Sequence, residues 1–226
     1  DDESVRIRSA EALGMLSSEK VARPLITAMM EDNNRLVCLW AVYALVKLGA
    51  SERIESLVEF IYDPDPVIRF NAAAALGKLN ARETLPVLRK ALSDPDERVR
   101  HRVVWALGEL GDMTAVTSLL KCLKDSVDQV RYLTCEALGK IGDMRAVEPL
   151  LESLNDQSDQ VRFYAAQALT NFGGQVVLVG LKQAFAREKA QWLKEVMEEL
   201  IEKVKKKIEV KRAIEDILTK VEKIQQ

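Results

Sequence analysis

A block of roughly 31 residues recurs through most of this chain, and self-similarity at such a period is the signature of repeat architectures. The pattern is Val or Ile followed by Arg, with Ala-Leu-Gly beginning seven residues after the Val or Ile. Since one such unit can bury its apolar face only against a neighbour, the pattern predicts an array of stacked units. The complete copies begin at Val5-Arg6, Ile68-Arg69, Val99-Arg100 and Val130-Arg131.

Two further copies fit the same frame with one change each. In the second copy Val37 is followed by Cys38 instead of Arg. In the sixth copy Val161-Arg162 is followed by Thr170 where the complete copies have Gly. The frame therefore predicts six units, with altered contacts at these two positions.

Each unit is predicted to contain two amphipathic helices. In the fourth copy, Asp94-Pro95-Asp96 supplies turn and capping side chains, and the next apolar residues recur at the spacing of one helix face. Gly111-Asp112 combines a helix-stop residue with a helix-start residue, so the helix should end there. The apolar stripes are Val99, Val103, Ala106, Leu107 and Leu110 in this helix and Val116, Leu119, Leu120 and Leu123 in the next.

The repeat resembles HEAT repeats, specifically the short phycobilisome-lyase HEAT-like type that is also the parent of artificial helical-repeat binders. The family motif D-x-x-V-R-x-x-A-x-x-A-L-G-x-I-G-D-x-x-A-V-x-P-L is clearest from Asp125 to Leu150. The resemblance covers roughly residues 1–185 and implies an all-α fold, a right-handed α-solenoid of stacked helical hairpins. Because such repeats serve many unrelated roles, it implies little about activity.

The resemblance also implies how the units are joined. In the family the Arg pairs with an Asp of the neighbouring unit, so Cys38 is expected to loosen the stacking of the second unit. The first residues already fall in the second helix of a unit. We therefore expect the chain to be a segment of a longer array, or to lack a capping helix.

Residues 186–226 are predicted to form a C-terminal helical cap on the array of residues 1–185. Trp192, Val196 and Leu200 lie one repeat length after core residues of the sixth unit, so they are predicted to continue the core. After Val204 the apolar spacing changes register, which predicts a break or bend near residues 205–207.

Beyond that point the apolar residues are spaced as in a short heptad pattern. A terminal cap is the favoured interpretation, because the strip is shorter than a typical coiled coil. The alternative is a strip for a partner helix or for self-association of an otherwise monomeric protein. The strip consists of Val210, Ile214, Ile217, Val221 and Ile224.

Composition favours a helical protein of the cytoplasm. Hydrophobic residues make up 48% and charged residues 30% of the chain, with only 10 Gly and 6 Pro. Three cysteines without C-x-x-C spacing fit reduced thiols better than disulfides. No apolar run approaches the roughly 20 residues of a membrane-spanning helix. A net charge of −2 argues against general binding of polyanions.

The sequence offers little for catalysis or for a metal site. His101 is the single histidine, so neither a zinc cluster nor the paired His-Glu sites of di-iron HEAT-repeat hydroxylases can be assembled. The cysteines fall at packing positions, the recurring Asp residues at helix starts, and the glycines singly at helix ends. We therefore expect a protein that is not an enzyme, with no cofactor and no metal.

The helix face opposite the core is the candidate binding surface. Relative to the Val of each repeat it comprises the positions two and one before and two, three and six after, which line the concave side in the family. Seven of the chain's 12 aromatic residues fall there, and lysine is absent. Aromatic and Arg enrichment with Lys depletion is typical of protein-binding surfaces. The predicted binding residues are Trp40, Tyr43, Phe70, Arg98, His101, Arg102, Trp105, Tyr132, Phe163 and Tyr164.

Three functions compete for this surface. The favoured one is a scaffold or adaptor that grips a partner protein, and the irregular outer helices favour a natural adaptor over an engineered binder. A bilin lyase or chromophore-handling chaperone is implied by the family resemblance alone. A nucleic-acid-binding solenoid is disfavoured, because the arginines that could touch phosphates are outnumbered by acids on this face. The arginines are Arg8, Arg35, Arg98 and Arg102, and the acids are Glu3, Glu11, Glu97, Asp128, Glu136 and Asp159. Alternatively, the rings only pack between adjacent units.

Overall fold

Short turns join α-helices throughout the part of the chain that the structure describes. The computed structural model describes residues 2–15, 25, 28, 32–48 and 54–224. The chain divides into two compact units, Asp1–Ser118 and Leu119–Gln226. No described helix is long and apolar enough to cross a membrane.

The helices follow the predicted alternation of the repeat. The first unit contains α1 (Glu3–Met15), α2 (Arg35–Lys47), α3 (Ile54–Glu59), α4 (Pro66–Lys78), α5 (Leu85–Ala91) and α6 (Glu97–Leu110), and α7 (Val116–Cys122) runs across the boundary. The second unit contains α8 (Asp128–Ile141), α9 (Val147–Ser153), α10 (Asp159–Phe172), α11 (Gly174–Arg187) and α12 (Gln191–Ile224). Single 3-10 turns lie at Phe60–Tyr62, Arg82–Thr84, Met113–Ala115 and Met144–Ala146.

The helix ends lie where local side-chain chemistry places them. Asp65 and Asp96 each accept a hydrogen bond from the backbone N–H two residues later, at 2.8 and 2.9 Å, and so cap α4 and α6. Gly111 and Gly142 end α6 and α8 with φ angles of 63° and 73°, which glycine adopts without steric cost. The helix end predicted at Gly111 is confirmed.

The apolar stripe predicted for the fourth repeat is the core of that repeat. Of the five stripe residues of α6, Leu110 is 1% exposed and the other four are fully buried. Period-3.6 spacing therefore identified the buried face correctly. The four are Val99, Val103, Ala106 and Leu107.

In four of the repeats, the arginine of the Val-Arg or Ile-Arg pair binds an acidic residue of the next repeat. Arg131 on α8 donates from Nε and Nη2 to the carboxylate of Asp156, both at 2.8 Å. Its Nη1 donates back to the carbonyl oxygens of Asp125 and Ser126, at 2.9 and 3.3 Å. The pairing implied by the family resemblance is confirmed at several described junctions. The other pairs of this kind are Arg6 with Asp32, Arg69 with Asp94 and Arg162 with Glu188.

The acidic residue of each pair has two functions. Asp156 accepts the Arg131 guanidinium and also the backbone N–H of Ser158 at 2.9 Å, which closes the turn before α10. Burial alone would raise the pKa of Asp156, but the hydrogen bonds from Arg131 and Ser158 lower it. One carboxylate thus shapes the turn of its own repeat and holds the preceding repeat.

The second repeat makes the same two connections with different residues. Cys38 stands in place of Arg, and its Sγ lies 3.2 Å from the carbonyl oxygen of Asp32, six residues earlier. Arg35, one helical turn before Cys38, pairs with Asp63 of the next repeat. Since the Arg35 side chain remains 59% exposed, water screens this pair more than the buried ones. Looser stacking of this repeat stays a prediction.

Close approach of successive helices requires the Gly of the Ala-Leu-Gly motif. A Cβ atom added to Gly139 on α8 would lie 2.9 Å from Cα of Ala168 on α10. A Cβ atom on Gly77 of α4 would lie equally close to Cα of Ala106 on α6. Both distances are too short for carbon atoms, so these glycines serve packing rather than a turn. Thr170 replaces this Gly where α12 is the next helix to pack on α10.

Glu188 attaches α12 as if α12 opened a further repeat. Arg162 donates from Nε and Nη2 to the two carboxylate oxygens of Glu188, at 2.8 and 2.9 Å. Oε1 of Glu188 also accepts the backbone N–H groups of Lys189 and Ala190 just before α12. The helix α12 is therefore joined to the preceding repeat by the same kind of contact as a repeat. The division into an array of residues 1–185 and a cap of residues 186–226 stays a prediction.

Of the core residues predicted in α12, Leu200 is buried as predicted, Val196 is partly exposed and Trp192 is exposed, so the predicted register is wrong by one residue at its start. Trp192 is 41% exposed, whereas Leu193 and Met197 are fully buried. In the preceding repeats the reference Val or Ile follows the junction acid by five positions, and Leu193 follows Glu188 by five. The distance from Asp156 to Glu188 is one residue longer than between earlier junction acids, which shifts the register.

A break near residues 205–207 is wrong, because α12 is continuous from Gln191 to Ile224, whereas a bend there stays a prediction. No Gly or Pro follows Arg187, and Lys and Glu are good helix formers. The change of apolar register instead marks where the helix leaves the rest of the unit. Val204 is fully buried, while every residue from 209 to 218 is exposed.

Loss of one buried arginine should destabilise the second unit strongly. Arg131→Ala leaves the Asp156 carboxylate and two carbonyl groups without their donor, so we expect the free energy of unfolding to fall by about 3 kcal/mol. Arg145→Ala is the matched control, since Arg145 also binds an Asp, Asp143, at 2.6 Å but is exposed. Urea denaturation followed by circular dichroism measures both changes. Equal losses in the two variants would show that the buried contact has no special weight.

The stability that Glu188 provides should disappear in acid. Hydrogen bonds from Arg162, and from two backbone N–H groups, lower the pKa of Glu188 from 4.5 to about 2 despite its burial. As pH falls the unfolded chain takes up this proton first, so the contribution is complete above about pH 5 and is lost between about 4.5 and 2. We expect Glu188→Gln to be less stable than the wild type by roughly 2–3 kcal/mol at pH 7. The difference in the free energy of unfolding between Glu188→Gln and the wild type should be constant from about pH 7 to 5 and should shrink from about pH 5 to 3, whereas exposed Glu152→Gln should match the wild type throughout.

Candidate functional site

Four of the predicted binding residues form one cluster in the first unit. Phe70 lies on α4, and His101, Arg102 and Trp105 lie on α6; we call this set the aromatic–arginine cluster. Cζ of Arg102 lies 4.4 Å from the ring centroid of Phe70 and 5.2 Å from that of Trp105. The His101 ring meets Phe70 edge-on at 5.8 Å. All four side chains are partly exposed.

Arg102 differs from the arginines that join the repeats. Its Nε atom is buried and has no hydrogen-bond partner. Burial lowers the pKa of Arg102, whereas the carboxylate of Asp156 raises the pKa of Arg131. Two aromatic rings therefore hold the cation through cation–π contacts but leave a donor unsatisfied. A buried donor without a partner is uncommon. Because the Arg102 side chain is partly exposed, a bound molecule would meet the exposed part of the guanidinium rather than Nε.

His101 contributes an uncharged ring at neutral pH. Burial, and secondly the neighbouring Arg102 cation, lower the pKa of His101 below its usual value of 6.5. Arg102 therefore carries the positive charge of the aromatic–arginine cluster. A contact at the rim of the binding surface stays a prediction for His101.

A glycine of the repeat motif makes the seat for Trp105. A Cβ atom on Gly77 would lie 2.9 Å from Cζ3 of Trp105. The same glycine allows α4 and α6 to approach, so one motif position serves both packing and the placement of this ring. Any larger residue at position 77 would displace the indole from Arg102.

Trp40 and Tyr43 form a second pair, but the prediction that Trp40 faces water is wrong. Trp40 is only 9% exposed. The Tyr43 ring meets the Trp40 ring edge-on, with centroids 5.3 Å apart, and Nζ of Lys78 lies 5.7 Å from the centroid of the Trp40 ring. Leu39 and Ala74, which occupy the same class of inner position, are buried too. The face of α2 opposite the predicted core packs against α1 and α4, so at Trp40 the packing alternative describes the structure.

Arg98 is exposed but already has a partner within its own repeat. Its Nη2 donates to Oδ2 of Asp96 at 2.7 Å, and Asp96 also caps α6 through the Arg98 backbone N–H. A partner carboxylate would have to compete with this contact. Of the two arginines predicted on this helix, Arg102 is therefore the better candidate.

In the second unit the predicted aromatic residues form a continuous series across adjacent helices. Tyr132 on α8 stacks on Tyr164 of α10, with centroids 4.9 Å apart and planes inclined by 16°. Tyr164 meets Phe163 edge-on at 5.0 Å, and Phe163 lies 5.9 Å from Trp192 on α12. We call these four residues the aromatic ladder. The first three are partly exposed, and Trp192 is 41% exposed.

Trp192 is the site residue that the sequence analysis missed. It lies one position before Leu193, which is one of the inner positions defined for the earlier repeats. The sequence signal for this position is the five-residue spacing from Glu188 to Leu193, which matches the spacing from the junction acid to the reference Val in earlier repeats. A strict count of 31 residues from the sixth repeat misses it. Phe163 and Trp192 together extend the ladder from the last full repeat onto α12.

The electrostatic character of the inner positions is acidic apart from the arginines. Glu97 and Asp128 are exposed, and Asp159 and Glu136 are partly exposed. The side chains of Glu3 and Glu11, predicted to add to this charge, lie outside the described residues. Among these acidic residues, Arg102 is a positive charge in contact with the rings of Phe70 and Trp105.

The described cysteines have the character of packed residues. Cys135 is fully buried, and burial raises the pKa of its thiol to about 12. Burial also raises the pKa of Cys38. Both are therefore thiols at neutral pH, and the thiolate is the reactive form. Among the described residues, no group of three or more His, Cys, Asp or Glu side chains is placed to hold a metal ion.

Comparison with known families settles what the repeat is. The sequence profile of the HEAT repeats matches residues 1–69, 54–132 and 119–202. The chain belongs to the HEAT repeat family. A search of curated protein sequences gives no significant match.

Solved structures with the same fold include natural and engineered proteins. The complex of CpcE and CpcF of phycocyanin lyase from Nostoc sp. PCC7120 is 21% identical, with 90% of both chains covered and a TM-score of 0.53. A designed armadillo repeat protein in complex with the peptide (KR)4 is 18% identical over 83% of this chain and 100% of that chain, with a TM-score of 0.62. An engineered protein is 20% identical over 88% and 97% of the two chains, with a TM-score of 0.56. These similarities confirm the predicted α-solenoid fold class.

The structure predicts that alanine substitution of two tryptophans at inner positions lowers the free energy of unfolding by very different amounts. Trp40→Ala removes a buried ring and should lower the free energy of unfolding by about 3–5 kcal/mol. Trp192→Ala removes a ring that is 41% exposed and should cost less than about 1 kcal/mol. Urea denaturation of both variants measures the difference. A small loss for Trp40→Ala would mean that its ring is free to meet a ligand after all.

Proposed function

We propose that this chain is a non-catalytic scaffold that binds a partner protein through the aromatic–arginine cluster and the aromatic ladder. Each patch lies in one of the two compact units and combines residues from successive repeats. The rings and the arginine are the residue types that dominate binding energy at protein interfaces.

The observation that carries the proposal is the state of Arg102. Its guanidinium is held between Phe70 and Trp105, so it loses little side-chain freedom when a ligand binds. The Arg102 side chain is partly exposed and burial lowers its pKa, so a ligand carbonyl or carboxylate that reaches the exposed part of the guanidinium would gain a charge-assisted bond in a partly desolvated site. The partner segment expected here therefore carries an Asp, a Glu or a free carbonyl group.

The aromatic ladder supports the same function in the second unit. Tyr132 and Tyr164 stack flat, which fixes both rings before any ligand arrives. Burial, and secondly its neighbour Tyr164, raise the pKa of Tyr132, so its hydroxyl group remains a hydrogen-bond donor at neutral pH. Trp192 adds the most exposed ring of the ladder. Rigid rings with polar edges suit a surface that grips a peptide segment.

Structural similarity adds support of a general kind. The designed armadillo repeat protein of the same fold class is in complex with the basic peptide (KR)4. In this chain the sign at the aromatic–arginine cluster is the reverse, since Arg102 is a cation. We therefore propose an acidic rather than a basic segment at this position.

The alternative functions have distinct experimental signatures. A bilin-handling protein would gain visible absorbance when it binds an open-chain tetrapyrrole. A nucleic-acid-binding protein would bind with a steep dependence on salt. The exposed acids among the inner positions, Glu97 and Asp128, weigh against the latter.

Comparison of captured partners tests the proposal. We expect the wild-type chain to retain a protein from native lysate that an Arg102→Gln, Trp192→Ala variant loses. Both substitutions replace partly or fully exposed side chains, so circular dichroism should show an unchanged fold. The matched control is Arg145→Gln with Met144→Ala, which removes an exposed Arg and an exposed apolar side chain elsewhere.

The captured protein is then purified and its affinity measured by isothermal titration calorimetry. We expect the Arg102→Gln, Trp192→Ala variant to bind at least about tenfold more weakly than the control variant. Equal affinities for the two variants would place the binding site elsewhere and refute the proposal. Visible absorbance or co-purified nucleic acid in place of a protein would favour the corresponding alternative.

A further inference from the structure

The second half of α12 exposes a row of large apolar side chains. Val210, Ile214, Ile217 and Leu218 are 59%, 52%, 60% and 57% exposed. A contiguous exposed apolar row of this kind marks an interaction surface.

The row begins where α12 passes the start of α11. The Lys207 side chain lies 3.7 Å from a Cβ atom built on Gly173, and its Nζ donates to the carbonyl oxygen of Thr170 at 2.7 Å. Up to Val204, α12 packs against α10 and α11. Beyond Ile208 all its described side chains are exposed. The row therefore lies outside the core that holds the helix in place.

The spacing of the row fits a helix as its occupant. Val210, Ile214 and Ile217 are four and three residues apart, the steps of a coiled-coil seam, and Leu218 lies beside them. Val221 and Ile224 continue these steps in the sequence, although their side chains lie outside the described residues. A seam this narrow suits one partner helix better than the broad apolar face of a helix that lies on a membrane.

We call the row Val210, Ile214, Ile217 and Leu218 the seam. The charged residues that flank the seam indicate which charges a partner helix must carry. With Ile214 at heptad position a and Val210 and Ile217 at d, Lys206 occupies g and Lys211 occupies e. Lys206, Lys207, Lys211 and Glu215 line the groove around Val210 and Ile214. Glu215 lies at the outer position b, and its Oε1 is 3.9 Å from Nζ of Lys211 in an exposed ion pair, which is weak enough for a partner carboxylate to replace. The remaining described e and g positions are Leu218 and Ala213.

A second copy of this chain is a poor occupant for the seam. In a parallel pair, Lys206 of one copy would face Lys211 of the other, and like charges at these positions disfavour pairing. No described e or g position is acidic, so a second copy has no carboxylate to offer in either orientation. Complementarity requires a different helix with Asp or Glu at its own e and g positions.

We propose that the seam formed by Val210, Ile214, Ile217 and Leu218 docks an amphipathic helix of a partner protein whose apolar stripe is flanked by acidic residues. This inference goes beyond the proposed function, because it uses a different surface from the aromatic–arginine cluster and the aromatic ladder. The partner helix buries the exposed row, and its carboxylates pair with Lys206 and Lys211.

Two synthetic helices test the proposal with the full chain. One peptide has about four heptads with Ile at a, Leu at d and Glu at e and g, and the control peptide has Lys at e and g. Fluorescence anisotropy of labelled peptides measures affinity. We expect the acidic peptide to bind at least about tenfold more tightly than the basic one, with weaker binding as salt screens the charges.

Matched variants locate the binding. Ile214→Gln with Ile217→Gln removes two exposed apolar side chains but retains good helix-forming residues, so the fold should persist and the acidic peptide should no longer bind. Val176→Gln with Val179→Gln makes the same change at exposed positions of α11 and should leave binding unchanged. Circular dichroism checks the fold of both variants.

Several results would overturn the proposal. Absence of peptide binding, equal binding of both peptides, or unchanged binding by the Ile214→Gln, Ile217→Gln variant would each do so. Sedimentation that shows a dimer of the wild-type chain, dissociated by this variant, would identify a second copy as the occupant. Seam-dependent binding to phosphatidylserine vesicles without peptide binding would identify a lipid surface.

Discussion

The contact between an arginine and the acid of the next repeat is the interaction on which the rest of the structure depends. Arg131 is nearly buried, and burial of a charge is unfavourable unless its donors are satisfied. They are satisfied in two directions, by Asp156 ahead and by two carbonyl groups behind. This arrangement fixes the distance between successive inner helices, which is short enough to require Gly139 at the contact. Because the helices approach so closely, Tyr132 and Tyr164 of neighbouring repeats can stack.

Arg102 shows what happens when the same residue type lacks that partner. It lies two positions after Arg100, the arginine of the Val-Arg pair in the same helix, and therefore points away from the junction. The rings of Phe70 and Trp105 take the place of the carboxylate, and they attract the cation without accepting hydrogen bonds in its plane. The repeat thus uses arginine in two ways, as a satisfied connector at the junctions and as an unsatisfied donor on the inner surface.

The sequence predicted the repeat, the fold class and the buried stripe of α6, because a period of 3.6 residues reports burial directly. It failed where a neighbouring helix decides the outcome. Trp40 lies at an inner position, yet α1 and α4 pack around the face of α2 on which it lies, and a helical wheel contains no information on neighbours. The sequence analysis did not place Trp192 at an inner position, because Asp156 and Glu188 are one residue further apart than the earlier junction acids and this changes the repeat register. The change of apolar register after Val204 predicted a break or bend, although no residue there disfavours helix, and it marks instead the point where the core ends.

The unbroken course of α12 has a mechanical consequence. A helix of 34 residues is about 51 Å long, and α12 contains no Gly or Pro, the residues at which helices most often kink. Its first half is held against the last repeat by Glu188 and by a buried face, while residues 209–218 of its second half are exposed. The helix is therefore a lever with its fulcrum at the end of the array. A force applied to the free arm acts as a torque on α10 and α11, and the carboxylate of Glu188 lies at the end where that torque is resisted.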